Sequence, residues 1–165
     1  MSQTINAYGK LLSKEDIDNK VHREFIGGMW EEVGQLQFNF LKENGLLPSH
    51  KLLDVGCGSL RGGVHYIKYL APNNYYGLDI NSSLIEAGNI EVETENLLDK
   101  NPTLLVNNKF EFFRFEQQFD FAIAQSVFTH LPINHILRCL NEINKVLKTG
   151  GVFFSTFFIN LFRAI

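Results

Sequence analysis

Lys51-Leu-Leu-Asp-Val-Gly-Cys-Gly-Ser-Leu-Arg-Gly-Gly63 is the stretch whose reading decides the fold. Leu52, Leu53 and Val55 make a short apolar run of the kind that parallel sheets bury on both faces, and it carries one acid, Asp54, before it breaks into glycines. Gly56 and Gly58 let the backbone turn tightly beside a ligand, and Leu60 to Leu70 reads as the helix that follows. Bare N–H groups at such a helix start favour a polar ligand. The stretch therefore predicts a strand, a turn that hugs a nucleotide-like ligand, and a helix.

Upstream, Ser13-Lys-Glu-Asp16 has the form of a helix start. Trp30, Val33, Leu36, Phe40 and Leu41 recur at helical spacing until Gly45 and Pro48 stop a second helix, so residues 1–48 read as an N-terminal helical cap. Downstream, Tyr75 to Ile80 reads as a second strand closing on Asp79, and Ser83-Leu-Ile-Glu86 as a capping box opening another helix. Phe110 to Phe113 is the candidate third strand, with the Asn-Pro and Asn-Asn stretch before it read as loop. Phe119 to Ser126 is the fourth strand. After Pro132 the residues Ile133, Ile136, Leu137, Leu140, Ile143 and Leu147 trace one helix face, with Lys148 and Gly150 at its end. Val152 to Phe158 is a fifth strand. Alternating strands and helices with right-handed crossovers predict one α/β domain over residues 1–165, a doubly wound and mostly parallel sheet of about five strands in the order 3-2-1-4-5, with helices on both faces. Ligands bind such sheets beyond the carboxyl ends of the strands, which sets Asp54 to Gly58 opposite Gln125 and Ser126.

Composition narrows the classes. A 165-residue chain that is 45% hydrophobic and 20% charged suits a single folded domain. A net charge of −3 with no basic stripe argues against nucleic acid as partner. The absence of a long apolar run and of a signal-like start predicts no membrane segment and a cytoplasmic protein. Cys57 and Cys139 have neither zinc nor redox spacing and are expected as free thiols, and the histidines at 22, 50, 65 and 135 are scattered as surface or helix residues, so no metal is expected.

Asp79 follows Gly56 by 23 positions at the end of the second strand, where a carboxylate can accept both ribose hydroxyls of an adenosine ligand. A helix cap near Ser82 is its alternative role. The nicotinamide fingerprint wants a glycine at the position held by Arg61. Asp54-Val-Gly-Cys-Gly58, Tyr76-Gly-Leu-Asp79-Ile, Phe119-Asp-Phe-Ala-Ile-Ala-Gln125-Ser-Val-Phe-Thr-His-Leu131 and Leu140-Asn-Glu-Ile-Asn-Lys-Val-Leu-Lys-Thr-Gly-Gly151 together resemble a class I S-adenosylmethionine-dependent methyltransferase, over about Trp30 to Phe158 and in the right order.

That resemblance implies a Rossmann-like fold and methyl transfer from S-adenosylmethionine to a small-molecule or metabolite acceptor, leaving S-adenosylhomocysteine. It puts Asp54 near the methionine end of the cofactor, Gly56, Cys57 and Gly58 under the methionine part and ribose, Asp79 on the ribose hydroxyls and Ile80 against the adenine. Gln125 and Ser126 would line the cofactor and the acceptor entrance, Glu116 is a candidate for the adenine amino group, and His130 is a candidate general base. Thr129 is expected to help cap the helix near Pro132, and Trp30, Glu31 and Gln35 sit on a helix that covers such sites. No Asn-Pro-Pro-Tyr-like tetrad is present, which removes support for acceptors that are bases or glutamine amides. The family normally continues past its fifth strand into a helix and an antiparallel strand pair, so the chain reads as truncated, with an edge strand open to self-association. The two rivals are a cofactor-binding module without turnover and a nicotinamide-dependent oxidoreductase.

Overall fold

The computed structural model describes residues 9–157. Three helices precede the sheet rather than the expected two: α1 (Lys14–Asp18), α2 (Val21–Phe25) and α3 (Trp30–Glu43). Ser13 caps α1 as its sequence indicates, with Ser13 Oγ accepting from Asp16 N–H and the Asp16 carboxylate accepting from Ser13 N–H. The extra helix α2 is five residues long and carries no apolar period for a sequence reading to find.

The sheet is built from β1 (Leu52–Val55), β2 (Tyr75–Asp79), β3 (Thr103–Val106), β4 (Phe119–Ala124) and β5 (Leu147–Ser155). All pairings are parallel and the order is β3-β2-β1-β4-β5, as expected. Because strand side chains alternate between faces, β1 feeds two cores. Leu52, with Tyr75 and Phe121, packs under α3, α4 (Gly63–Tyr69) and α5 (Ser82–Thr94). Leu53 and Val55, with Tyr76 and Ala122, pack under α6 (Ile133–Val146).

Several boundaries move. The third strand is Thr103–Val106; Phe112–Phe115 is a 3₁₀ turn whose Phe112 and Phe115 plug the α6 side of the core. The helix after the glycine loop starts at Gly63, since Leu60 adopts a left-handed φ of 74° that no helix continues. Asn81, not Ser83, caps α5, its Oδ1 accepting from Ser83 and Leu84 N–H. Helix α6 stops at Val146, and Lys148 to Gly151 bulge at the start of β5. Its buried stripe is Cys139, Ile143 and Val146, which leaves Ile133 69% and Leu137 59% exposed. Thr129 Oγ1 donates to Ser126 O and takes no part in capping. β5 is an edge strand, as expected, with Phe157 exposed beyond it; Phe158 lies outside the described residues.

One ion cluster pins the N-terminal helices to this core. Glu91 of α5, 1% exposed, accepts from His22 Nε2 at 2.8 Å, from Arg23 Nε at 2.8 Å and from Arg23 Nη2 at 2.7 Å. The Arg23 guanidinium lies 4.5 Å from the centroid of the Trp30 ring. His22 is thus a buried helix residue, the second of the two expected alternatives. Burial pushes the Glu91 carboxyl up, but its bonds to His22 and Arg23 outweigh that and bring it down to about 2. A carboxyl whose folded pKa is depressed stabilises above its unfolded value and loses that contribution as pH falls toward the folded one. Glu91→Gln is expected to cost about 2 kcal/mol at neutral pH by leaving the half-buried Arg23 guanidinium without its counter-charge. Denaturant unfolding should show this gap and its closure as the pH falls toward 2; equal stabilities at pH 7 would contradict it.

Candidate functional site

The exit of β1 is a sequence of strained turns. Gly56 and Gly58 have φ of 70° and 55°, in the region that favours glycine, and a methyl group on Gly56 would sit 2.5 Å from Val127 Cγ2. The N–H groups of Gly56 and Cys57 both donate to Leu78 O at the end of β2, at 2.8 and 3.0 Å. Gly58 N–H donates to Asp79 Oδ2 at 2.9 Å, and Asn81 N–H to Asp79 Oδ1 at 2.9 Å. Asp79 therefore braces the glycine turn and the α5 entry at once, and it lines the cavity with acceptor capacity to spare.

That cavity, about 540 Å³, opens at the carboxyl ends of β1, β2 and β4. Asp54, Gly56, Cys57, Gly58, Asp79, Ile80, Gln125, Ser126 and His130, the residues singled out in the sequence, all line it. Ser126 takes a left-handed φ of 57° and donates its N–H to Thr156 Oγ1 at 2.7 Å. Ile80 is 61% exposed at the mouth. Glu116 is not there: with Lys51 and Lys148 it lines a separate open cleft at the amino ends of β1 and β5. Asn107, Asn108 and Phe110 take the expected place of Glu116, because they follow the true third strand. The run Thr103-Leu-Leu-Val106, bounded by Pro102 and Asn107, was the available signal for it. Gln37 of α3 faces the cavity, whereas Gln35 turns outward to Asn39. His135 joins His130 on the wall, so His130 is not the only imidazole there. Cys57 and Cys139 are free and buried, and burial pushes both thiols up, Cys139 to about 12. Among the described residues no group of three His, Cys, Asp or Glu is placed to hold a metal ion, and no helix is long and apolar enough to cross a membrane.

Residues 53–153 match the protein family described as a methyltransferase domain. The chain belongs to this family. A sterol 24-C-methyltransferase of Gibberella zeae is 33% identical over 117 residues, which are 70% of this chain and 30% of that protein. The domain thus spans less than a third of the length of that relative. Among solved structures it is similar to an S-adenosylmethionine-dependent methyltransferase from Clostridium acetobutylicum, at a TM-score of 0.65 and 15% identity, covering 86% of this chain and 57% of that one. It is also similar to magnesium protoporphyrin IX methyltransferase from Synechocystis with bound S-adenosylmethionine, at a TM-score of 0.60 and 17% identity, over 87% of this chain and 63% of that one.

Asp54 gives this methyltransferase domain its most perturbed carboxyl among those lining the cavity. The side chain is 7% exposed, and burial pushes it up to about 7 against the opposing effect of Tyr75, whose hydroxyl donates to Oδ2 at 2.7 Å. Burial likewise raises Asp79, with the N–H groups of Asn81 and Gly58 pulling the other way. For a carboxyl raised on folding the sign is opposite to that of Glu91. The folded protein keeps a proton that the unfolded chain releases near pH 4, so stability falls as pH rises from there to about 7. Removing the charge removes that slope. Asp54→Asn should lack a decline of up to ~1.4 kcal/mol per pH unit that the parent shows in this window. Urea unfolding at several pH values reads it, and parallel curves for the two proteins would contradict it.

Proposed function

We propose that the cavity at the ends of β1, β2 and β4 binds S-adenosylmethionine and that the domain directs methyl transfer to a small-molecule acceptor. The observation that carries this reading is the union of Gly56–Gly58 with Asp79 in one wall. A turn with no room for a side chain at Gly56 and a left-handed Gly58 lets a ligand lie on backbone, and the braced carboxylate beside it has acceptor capacity left for a vicinal diol. Leu78 and Ile80 flank that carboxylate with apolar surface suited to a purine, and Asn107 and Asn108 offer amide groups near it. The names of the relatives agree with the donor and with the reaction.

When bound, S-adenosylmethionine supplies a methyl group already activated by its sulfonium charge. What remains for the protein is binding, orientation and exclusion of water, which supply several kcal/mol of barrier lowering without a dedicated nucleophile. Gln125 and Ser126 form the rim between donor and acceptor sites, and the left-handed Ser126 turns the chain there so that Val127 closes over Gly56. The N-terminal residues Gly9, Leu11 and Ile26 roof the cavity and exclude solvent. His130 and His135 are the two imidazoles on the wall, and His130 is assigned the proton released by a hydroxyl acceptor. The mouth is apolar, with Leu11 and Ile80 each 61% exposed, which fits an acceptor with an apolar body, as the sterol and porphyrin methyltransferases among the relatives have by name.

A nicotinamide dinucleotide is disfavoured by Arg61, which stands where its fingerprint needs a glycine and instead donates Nη1 to Ile26 O and Gly28 O. Calorimetry with S-adenosylhomocysteine and with NAD, side by side, tests the reading: binding of the first and not the second is expected. Asp79→Ala should weaken S-adenosylhomocysteine binding by about 1.5–3 kcal/mol, the range for hydrogen bonds to a charged group. Unchanged affinity in that variant, or binding of NAD alone, would refute it.

A further inference from the structure

Exposed apolar side chains gather at one edge of the sheet. Among the described residues β5 is paired on one side only, and the run Gly151-Val-Phe-Phe-Ser155 carries neither a charge nor a proline, the usual blunting devices of an edge strand. On one face of this edge, the Phe40 ring of α3 packs on Phe154 with centroids 4.9 Å apart and still stays exposed, as does Leu36 one turn before it. On the other face, the 3₁₀ turn lies over β2, where Phe115 meets Tyr76 with centroids 5.5 Å apart, and Val146 of α6 lines the cleft on that side with Phe113. Ile133, Leu137 and Leu140 follow helical spacing on the opposite flank of the buried Cys139 and Ile143, which turns them toward β5 and leaves them exposed. With Val152 and Phe157, seven of the fifteen exposed large apolar side chains lie on or beside this strand.

The free backbone of β5 is self-complementary. Thr156 N–H donates inward to Ala124 O at 3.3 Å, and strand groups alternate sides, so Val152 and Phe154 face β4 while Gly151, Phe153 and Ser155 turn their N–H and C=O groups outward. An antiparallel copy that sets Phe153 opposite Phe153 uses all three, since Gly151 then stands opposite Ser155 and each pair exchanges both its bonds. The same register puts Val152 opposite Phe154 on the α3 face, an apolar cross-strand pair, and leaves only glycine and serine beside the Phe153 pair on the α6 face. A twofold axis normal to the sheet keeps each face on its own side, so Leu36 and Phe40 meet their own copies in one layer, and Leu137 and Leu140 theirs in the other. We propose that this edge joins two copies of the chain through antiparallel β5 strands into one continuous sheet, with an apolar helix contact on each face. A bound segment of another kind would have to match two apolar helix faces as well as the strand, which a second copy does by symmetry.

Sedimentation equilibrium of the full chain reads the association. A mass of twice 18.9 kDa is expected at micromolar protein, falling toward 18.9 kDa on dilution. Leu137→Lys leaves the fold intact because that side chain is already exposed, and it should raise the dissociation constant about a hundredfold, tenfold from each copy. Ser155→Pro removes an outward N–H without touching the ladder to β4, and should act in the same direction. Leu98→Lys, beside the opposite edge strand β3, is the control and keeps the doubled mass. Amide hydrogen exchange supplies a second readout: the N–H groups of Phe153 and Ser155 should be protected at high concentration and lose that protection on dilution or in Leu137→Lys. A monomer at every concentration overturns the proposal, whether those amides exchange freely or are shielded by residues 158–165. A dimer unmoved by both substitutions joins its copies elsewhere and overturns it as well.

Discussion

The site depends on how the end of β1 is tied to the end of β2. Leu78 O receives two N–H groups from the glycine turn, and Asp79 Oδ2 receives a third. These three bonds hold Gly56 and Gly58 in left-handed conformations that cost glycine little and other residues more. They also aim the turn at the cavity rather than across the strand ends. Everything else in the wall is placed from that tie: Val127 closes over Gly56, Asn81 follows Asp79 into α5, and Ile80 is left at the mouth.

Two buried carboxyls differ in what surrounds them. Glu91 is met by an imidazole and a guanidinium, and its partners hold it ionised. Asp54 accepts from the Tyr75 hydroxyl, and burial favours its neutral form. A domain maximising stability would replace Asp54 with an apolar residue, since an ionised group buried without a counter-charge is costly. Asp54 stands on the wall of the cavity proposed above for the methyl donor.

Much of the sheet was legible because β1, β2 and β4 are mainly apolar runs that stop at Gly56, Asp79 and Gln125, and a parallel sheet covered on both faces demands such runs. The third strand escaped because it lies at an edge: Leu104 and Leu105 are only half buried, and the aromatic cluster at Phe110 to Phe113 carries a stronger apolar signal. That error put the candidate polar residue after the third strand at Glu116, which lies outside the cavity, rather than at Asn107 and Asn108, which line it. The glycine turn, Asp79, Gln125 and Ser126 were readable since each sits at a strand end, where topology alone sends it to the ligand crevice. Gln37 and Tyr66 were not, because they reach the cavity through helix packing that no local pattern encodes. The same holds for His22, whose partner Glu91 lies 69 positions away.

The central claim is that the glycine turn and Asp79 cradle an adenosine methyl donor. A crystal structure of the domain with S-adenosylhomocysteine tests it most directly. The account predicts the ribose hydroxyls within hydrogen-bonding distance of the Asp79 carboxylate, with the sulfur above Gly56–Gly58. Density for the ligand at another surface, with Asp79 bound only to Gly58 and Asn81, would contradict it.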